Sequence, residues 1–206
     1  NVQVFSSRKA ETFRIESRKV ALHGRSFKVA ATTENLLPGY PEPVAGWLNI
    51  GVLHTALEGN AEHARYAPCS VAELQAKGYQ YWALGHVHEH WVQRGDVTIA
   101  YPGNLQGRHI RELGVRGALL VSAEDGEITE LERLEVDVLR WHMLDIDVSV
   151  VADMRSAVRM VGLAMEQLLE STPADLPLAV RVVFKGCSAA HAELIVDEGQ
   201  LRQEVI

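Results

Sequence analysis

Apolar and polar residues alternate at period two in Val2-Gln3-Val4-Phe5, Phe13-Arg14-Ile15 and Lys19-Val20-Ala21-Leu22, with Ser and Gly24 as punctuation. The chain is therefore expected to open in short β-strands. Residues 37–46 hold three prolines and two glycines, which suits an irregular loop. The loop leads into Trp47 to Leu53, a mostly apolar run that reads as a buried strand with His54 at its end. Ser70-Val71-Ala72-Glu73 is a capping box, and Gly78 supplies a stop, so a short helix is expected between them. Tyr79 to Leu84 reads as a second buried strand, and it too runs out into histidines, His86 and His88. Val97 to Tyr101 and Gly117 to Val121 continue the strand pattern, and Asp125-Gly126 is a hairpin turn before the strand from Ile128 to Val136.

The pattern changes around Trp141. Met143 to Val148 predicts a strand, and Val150 to Leu169 a long amphipathic helix with Ser149 as N-cap and apolar residues at three- and four-residue steps. Leu178 to Phe184 predicts the next strand, and helix-like sequence runs from Ser188 to Ile206. The expected class is α/β, with a sheet-rich first domain over residues 1–141 and a small β-α-β domain over 142–206.

Composition bounds the function. The 206 residues are 47% hydrophobic and 23% charged, as in ordinary folded domains. The longest uncharged stretch, Pro43 to Leu57, is interrupted by Gly46, Asn49 and Gly51 and is too short for a spanning helix, so no membrane association is expected. Cys69 and Cys187 lie far apart without metal-type spacing; both are read as buried apolar residues, and a cytoplasmic location is the default. The net charge of −7 argues against a broad basic surface for nucleic acid. Any such binding must be local: residues 1–50 carry seven Lys/Arg against four Asp/Glu, whereas residues 111–206 carry nine against eighteen. No Asp precedes Asp96, so a site built on several early aspartates cannot come from this chain.

The candidate chemistry lies in histidines. In extended backbone, side chains at i and i+2 share a face, so His86 and His88 in Gly85-His86-Val87-His88 can converge beyond a strand end and take a transition metal. The alternative is a surface strand that carries histidines. His54 ends another apolar strand; it is either a satisfied structural residue or a third ligand, and three imidazoles match a zinc site by ligand count. The loop Tyr101-Pro102-Gly103-Asn104-Leu105-Gln106-Gly107-Arg108-His109 either offers amides and a guanidinium to a phosphate or is an ordinary turn. Its candidate substrate contacts are Asn104, Arg108 and His109. His23, His63, His142 and His191 have no assignment.

These pieces together resemble the calcineurin-like metallophosphoesterases, and most closely the bacterial DNA repair exonucleases of the SbcD/YhaO type. The matching segments are Gly51-Val52-Leu53-His54, Tyr81 to His88 with its GHxH motif, the narrower PGNxQGR loop at residues 102–108, and His23-Gly24-Arg25-Ser26-Phe27. The resemblance implies residues 1–141 as the C-terminal part of a catalytic β-sandwich flanked by helices, and residues 142–206 as an incomplete capping domain.

It also implies a dinuclear centre, usually manganese, with His54 and His86 on one metal and His88 on the other. The family's DxH, GDxxD and GNHD motifs are absent, and with them the histidine that protonates the leaving group. That proton donor is expected upstream of this chain, so no catalytic residue is assigned within it. The fragment alone is expected to be inactive and to take zinc or nickel more readily than manganese. For the intact protein the resemblance implies a DNA repair exonuclease working by two-metal phosphodiester hydrolysis, with DNA as substrate and a coiled-coil ATPase as partner. Unpaired strand edges imply homo-oligomerisation. The alternatives are a phosphoesterase acting on small nucleotides and a non-catalytic interaction fragment.

Overall fold

The structure, a computed structural model, describes residues 2–57 and 66–205. The chain divides into two compact units, Asn1–Leu105 with Arg116–Val136, and Gln106–Val115 with Asp137–Ile206. The architecture is α/β.

In the first unit a six-stranded sheet runs in the order β1-β2-β3-β4-β6-β5. Its strands are β1 (Glu11–Ile15), β2 (Val20–Gly24), β3 (Leu48–His54), β4 (Tyr81–Gly85), β5 (Trp91–Gln93) and β6 (Thr98–Tyr101). β2, β3, β4 and β6 are parallel, and antiparallel β1 and β5 close the two edges. The apolar run of β3 is wholly buried on one face only: Leu53 is buried, whereas the other face passes from buried Leu48 through half-buried Ile50 to exposed Val52 and His54. One face packs Leu53, Trp82, Leu84, Ile99 and Tyr101 against Leu36, Leu37, Tyr40, Leu74 and Tyr79. The helix α1 (Val71–Ala76) starts at the expected capping box: the Ser70 hydroxyl accepts from the Glu73 N–H, and the Glu73 carboxylate accepts from the Ser70 N–H at 2.7 Å. These hydrogen bonds hold the Glu73 carboxyl below its usual pKa.

A two-stranded hairpin, β7 (Gly117–Glu124) and β8 (Glu127–Glu135), turns at Asp125 and Gly126, both at positive φ, as a two-residue hairpin turn requires. Residues 2–5 form no strand, contrary to their alternation. Val2 and Val4 are exposed, and the Phe5 ring instead lies over Gly24, where a Cβ would meet it at 2.4 Å.

In the second unit, β9 (Arg140–Asp147) and β10 (Leu178–Lys185) pair in parallel across α2 (Met154–Glu170). The helix begins four residues later than the periodicity suggests. Asp153, not Ser149, is the N-cap and accepts from the Ser156 N–H at 2.8 Å, while Val150 lies outside the helix and is 89% exposed. Ser149 is already engaged, its hydroxyl donating to Asp147 at 2.6 Å. The terminal helical sequence divides into α3 (His191–Val196) and α4 (Glu198–Val205), separated by Asp197 in non-helical backbone. Ile146, Met154, Ala157, Val161 and Leu194 form this unit's core. Cys69 is buried as expected, but Cys187 is exposed, because the chain has left β10 two residues before it.

Candidate metal centre

The site is built at the carboxyl ends of two adjacent parallel strands. β3 pairs with β4 in a register that sets His54 opposite Gly85, so His86 is the first residue beyond the sheet on the neighbouring strand. The His54 and His86 rings meet at 5.1 Å between centroids and 67° between planes. Gly85 makes the approach possible, since a Cβ there would lie 3.2 Å from His54 Nδ1. The positive φ falls on the next residue: His86 sits at φ 105, a region that costs a non-glycine residue free energy and recurs at functional sites. Aromatic edges surround the pair. Phe27 meets His54 at 5.4 Å, and Tyr66 meets His86 at 5.1 Å. Burial lowers the His54 pKa, and the charge on His88 lowers it further, so His54 is neutral at pH 7 and has a lone pair to donate.

His88 contributes through the electrostatics of His54, but the backbone does not deliver it by strand alternation. The strand ends at Gly85, and residues 86–88 continue in irregular backbone, so the i, i+2 rule no longer applies. Among the described residues no group of three or more His, Cys, Asp or Glu side chains is placed to hold a metal. The donors that the strand ends bring together are two imidazoles. Nitrogen donors without carboxylate fit part of a zinc or nickel shell better than the oxygen-rich shell of manganese.

The backbone of His88 is pinned from two directions. Its carbonyl accepts from the Asn104 N–H at 3.1 Å and from Arg116 Nη1 at 2.7 Å. Gly103, at φ 81, lies so close that a Cβ would meet the His88 carbonyl oxygen at 2.9 Å. Part of the PGNxQGR loop thus supports the histidine turn through its main chain. Arg116 escapes a reading of the sequence because nothing local ties it to His88, 28 residues away. His90, half-buried, has its pKa lowered by burial and then by the charge of Arg133.

The same loop passes into the second unit after Leu105. There the Gln106 side chain donates to the carbonyls of Gly107 and Leu139 and accepts from the Val138 N–H, and Trp141 Nε1 donates to the Gly107 carbonyl. The backbone N–H of Arg108 donates to the buried Glu112 carboxylate at 2.8 Å, and its guanidinium lies 3.4 Å from the same group. His109 Nε2 is 3.8 Å from it. Glu112 therefore competes with any phosphate for both candidate side chains. Of the other histidines, His23 is wholly buried, and His63 lies outside the described residues.

A strand-end histidine pair, a GHxH turn and a glycine-bounded loop on an α/β sheet define a metallophosphoesterase-like chain. Residues 141–206 match the family model described as metallophosphoesterase YhaO, middle domain. The chain is also 35% identical over 191 residues to the "Uncharacterized metallophosphoesterase YhaO" of Bacillus subtilis (strain 168). That match covers 90% of this chain and 46% of the relative, so the chain spans about half the length of the curated relative it matches. Over these stretches the chain is similar to metallophosphoesterases of the YhaO type.

Proposed function

We propose that this chain forms part of a metal-dependent phosphoesterase that hydrolyses the phosphodiester backbone of DNA as a repair exonuclease. The observation that carries the reading is the His54–His86 pair, two imidazoles 5.1 Å apart at neighbouring strand ends, one of them on backbone at φ 105. Parallel α/β sheets bind their ligands at these carboxyl ends. His54 and His86 would hold one divalent ion and His88 a second; the imidazoles alone favour zinc or nickel, and manganese is the expected metal only in the intact protein, where the family's further motifs would add carboxylates. Bound there, such ions supply Lewis-acid polarisation of a phosphate and an activated water. The chain's own residues do the positioning. Phe27 packs against the His54 ring and Tyr66 against the His86 ring, and Arg116 and Asn104 hold the turn that carries His88. No described residue is assigned as proton donor to the leaving group.

DNA is favoured over small nucleotides by the PGNxQGR loop, the narrowest element of the family resemblance. A coiled-coil ATPase partner, self-association and a cytoplasmic setting belong to the same proposal. Among the described residues no helix is long and apolar enough to cross a membrane. A second reading, a non-catalytic interaction segment, draws on the absence of a three-residue metal group among the described residues.

The test is manganese-dependent hydrolysis of linear DNA and of a nucleoside monophosphate by the natural full-length protein, with His54→Ala, His86→Ala and His88→Ala beside it. Each variant is expected to lose at least about 100-fold in rate while melting without metal changes little. Near-normal DNA hydrolysis in all three would return these histidines to a structural role.

A further inference from the structure

The loop after β2 lines an open pocket of about 370 Å3, bordered by Arg25 to Val29 and by Ala31 to Glu34 with Leu36. Its walls are fastened at both ends. The Ser26 N–H donates to the Ser6 carbonyl at 3.0 Å and the Ser26 hydroxyl to the Phe5 carbonyl at 2.7 Å. Thr32 is held by its hydroxyl on the Val29 carbonyl at 3.2 Å and by its carbonyl, which accepts from the Ala67 N–H at 2.8 Å.

Arg25 is the cationic centre of this pocket. Its side chain is 19% exposed, and its Nε is buried with no hydrogen-bond partner among the described residues. Its ion pair with Glu34 is long, 3.6 Å, and the carboxylate is 68% exposed, a geometry that contributes little. A buried guanidinium Nε–H left open favours a ligand with acceptor oxygens. Lys28 and Thr33, both exposed, line the same space and add a second positive charge and a hydroxyl. Phe27 belongs to the pocket wall and also touches His54, so the pocket adjoins the candidate metal centre.

We propose that this pocket is a phosphate-group subsite, in which Arg25 and Lys28 supply the charge, Thr33 supplies a neutral donor, and Glu34 swings away when the phosphate enters. The choice of phosphate over other anions rests on the phosphoesterase reading; the cationic pocket does not. A volume of about 370 Å3 accommodates a phosphate with its sugar, so the ligand is a nucleotide, free or within a strand.

The experiment uses this chain in EDTA, which separates phosphate binding from metal chemistry. Thymidine, thymidine 5′-monophosphate and a short single-stranded oligothymidylate are titrated while backbone amide shifts and binding heats are followed. The two phosphate-bearing probes are expected to bind and to shift the amides of residues 25–34, and thymidine is not. Arg25→Gln should weaken binding about tenfold, as loss of a charge-assisted hydrogen bond does. Lys28→Gln should weaken it a few-fold, and Glu34→Gln should tighten it. Tighter binding of the oligonucleotide identifies a strand as the source, and equal binding a free nucleotide.

If Arg25→Gln does not fold, Lys28→Gln and Glu34→Gln, both at exposed positions, decide the matter. Absence of binding by either phosphate probe, or unchanged affinities across the variants, would overturn the subsite. Failure of the phosphoesterase reading looks different: binding in EDTA persists with the same ranking of variants, while the full-length protein hydrolyses nothing when metal is supplied.

Discussion

Arg116 holds the main chain of His88: its guanidinium, 4% exposed, donates through Nη1 to the His88 carbonyl at 2.7 Å and through Nη2 to Glu89 at 2.8 Å. Arginine suits this position because its rigid fork reaches two acceptors at once, which an ammonium cannot do in the same geometry. Arg116→Ala leaves the His88 carbonyl only the Asn104 amide among these partners. The expected cost is about 1–3 kcal/mol of stability, with metal affinity reduced roughly 10–100-fold if His88 is a ligand as proposed, because its turn is no longer fixed. Arg116→Lys should recover most of the stability and little of the affinity. Zinc and manganese titrations beside urea unfolding check this; equal affinity in Arg116→Ala and the unmodified chain would show that His88 needs no such support.

Gly51 and Trp82 are register partners on β3 and β4, and the indole occupies the space that a Gly51 side chain would need, with a Cβ meeting the ring at 2.2 Å. The ring is fully buried, and its Nε1 donates to the Leu74 carbonyl at 3.0 Å, so it cannot move without giving up a hydrogen bond. Gly51→Ala is therefore predicted to destabilise the first unit by about 1–3 kcal/mol or more through overpacking. It should also shift Trp82 fluorescence in the folded state. A variant with unchanged urea midpoint and emission would refute the packing argument.

How much of this was legible in the chain can be read residue by residue. β3 and β4 stand out because their runs are mostly apolar, although Val52 on the second face of β3 is exposed, and the turn at Asp125-Gly126 because so few residues accept positive φ twice in succession. The neighbouring ends of β3 and β4 follow from the same runs, which is why His54 and His86 could be paired in advance. β5 was not legible, since Trp91-Val92-Gln93 is too short to show a period. The fate of His88 was not legible either, because it turns on the dihedral of His86, and nothing in the composition of the motif announces that value. Arg116, Asn49 and His23 act through partners far along the chain, and periodicity carries no information about such pairs.

The start of α2 offers a direct test of one such misreading. Ser149 and Asp153 are both acceptable caps by residue type, but only Asp153 accepts from the helix, through the Ser156 N–H. Hydrogen bonds from the Ser156 N–H and the Ser156 side chain hold the Asp153 carboxyl below its usual pKa. Asp153→Ala should therefore lower the helical circular dichroism signal and the melting temperature, whereas Ser149→Ala should leave the helix signal unchanged. The reverse ranking would move the helix start back to Val150.

The last prediction concerns His23 and pH. Asn49 Oδ1 accepts from the Val44 N–H at 2.7 Å and lies 3.0 Å from His23 Nε2, so Nε2 carries the proton. Nδ1, 2.9 Å from the Thr12 hydroxyl, is then the acceptor. The ring is wholly buried and stacks on Tyr79 at 4.3 Å. Burial lowers its pKa below the ordinary 6.5; the bond to Asn49 opposes this, and the charges of Lys77 and Arg14 reinforce it. With the folded pKa depressed, the unfolded chain binds a proton that the folded chain resists. The stabilisation from neutral His23 is thus complete above about pH 6.5 and is lost as pH falls through the folded pKa. The slope can reach about 1.4 kcal/mol per pH unit for this one proton. His54, His90 and His142 are shifted in the same direction, so the decline in the unmodified chain is a sum. Comparison with His23→Gln isolates the contribution. The variant should be less stable at pH 7.5 by about 1–3 kcal/mol, for the lost stacking and hydrogen bonds, yet lose less stability on going to pH 5. Urea unfolding at half-unit pH intervals measures both, and parallel curves for the two proteins would show that His23 does not titrate with unfolding in that window.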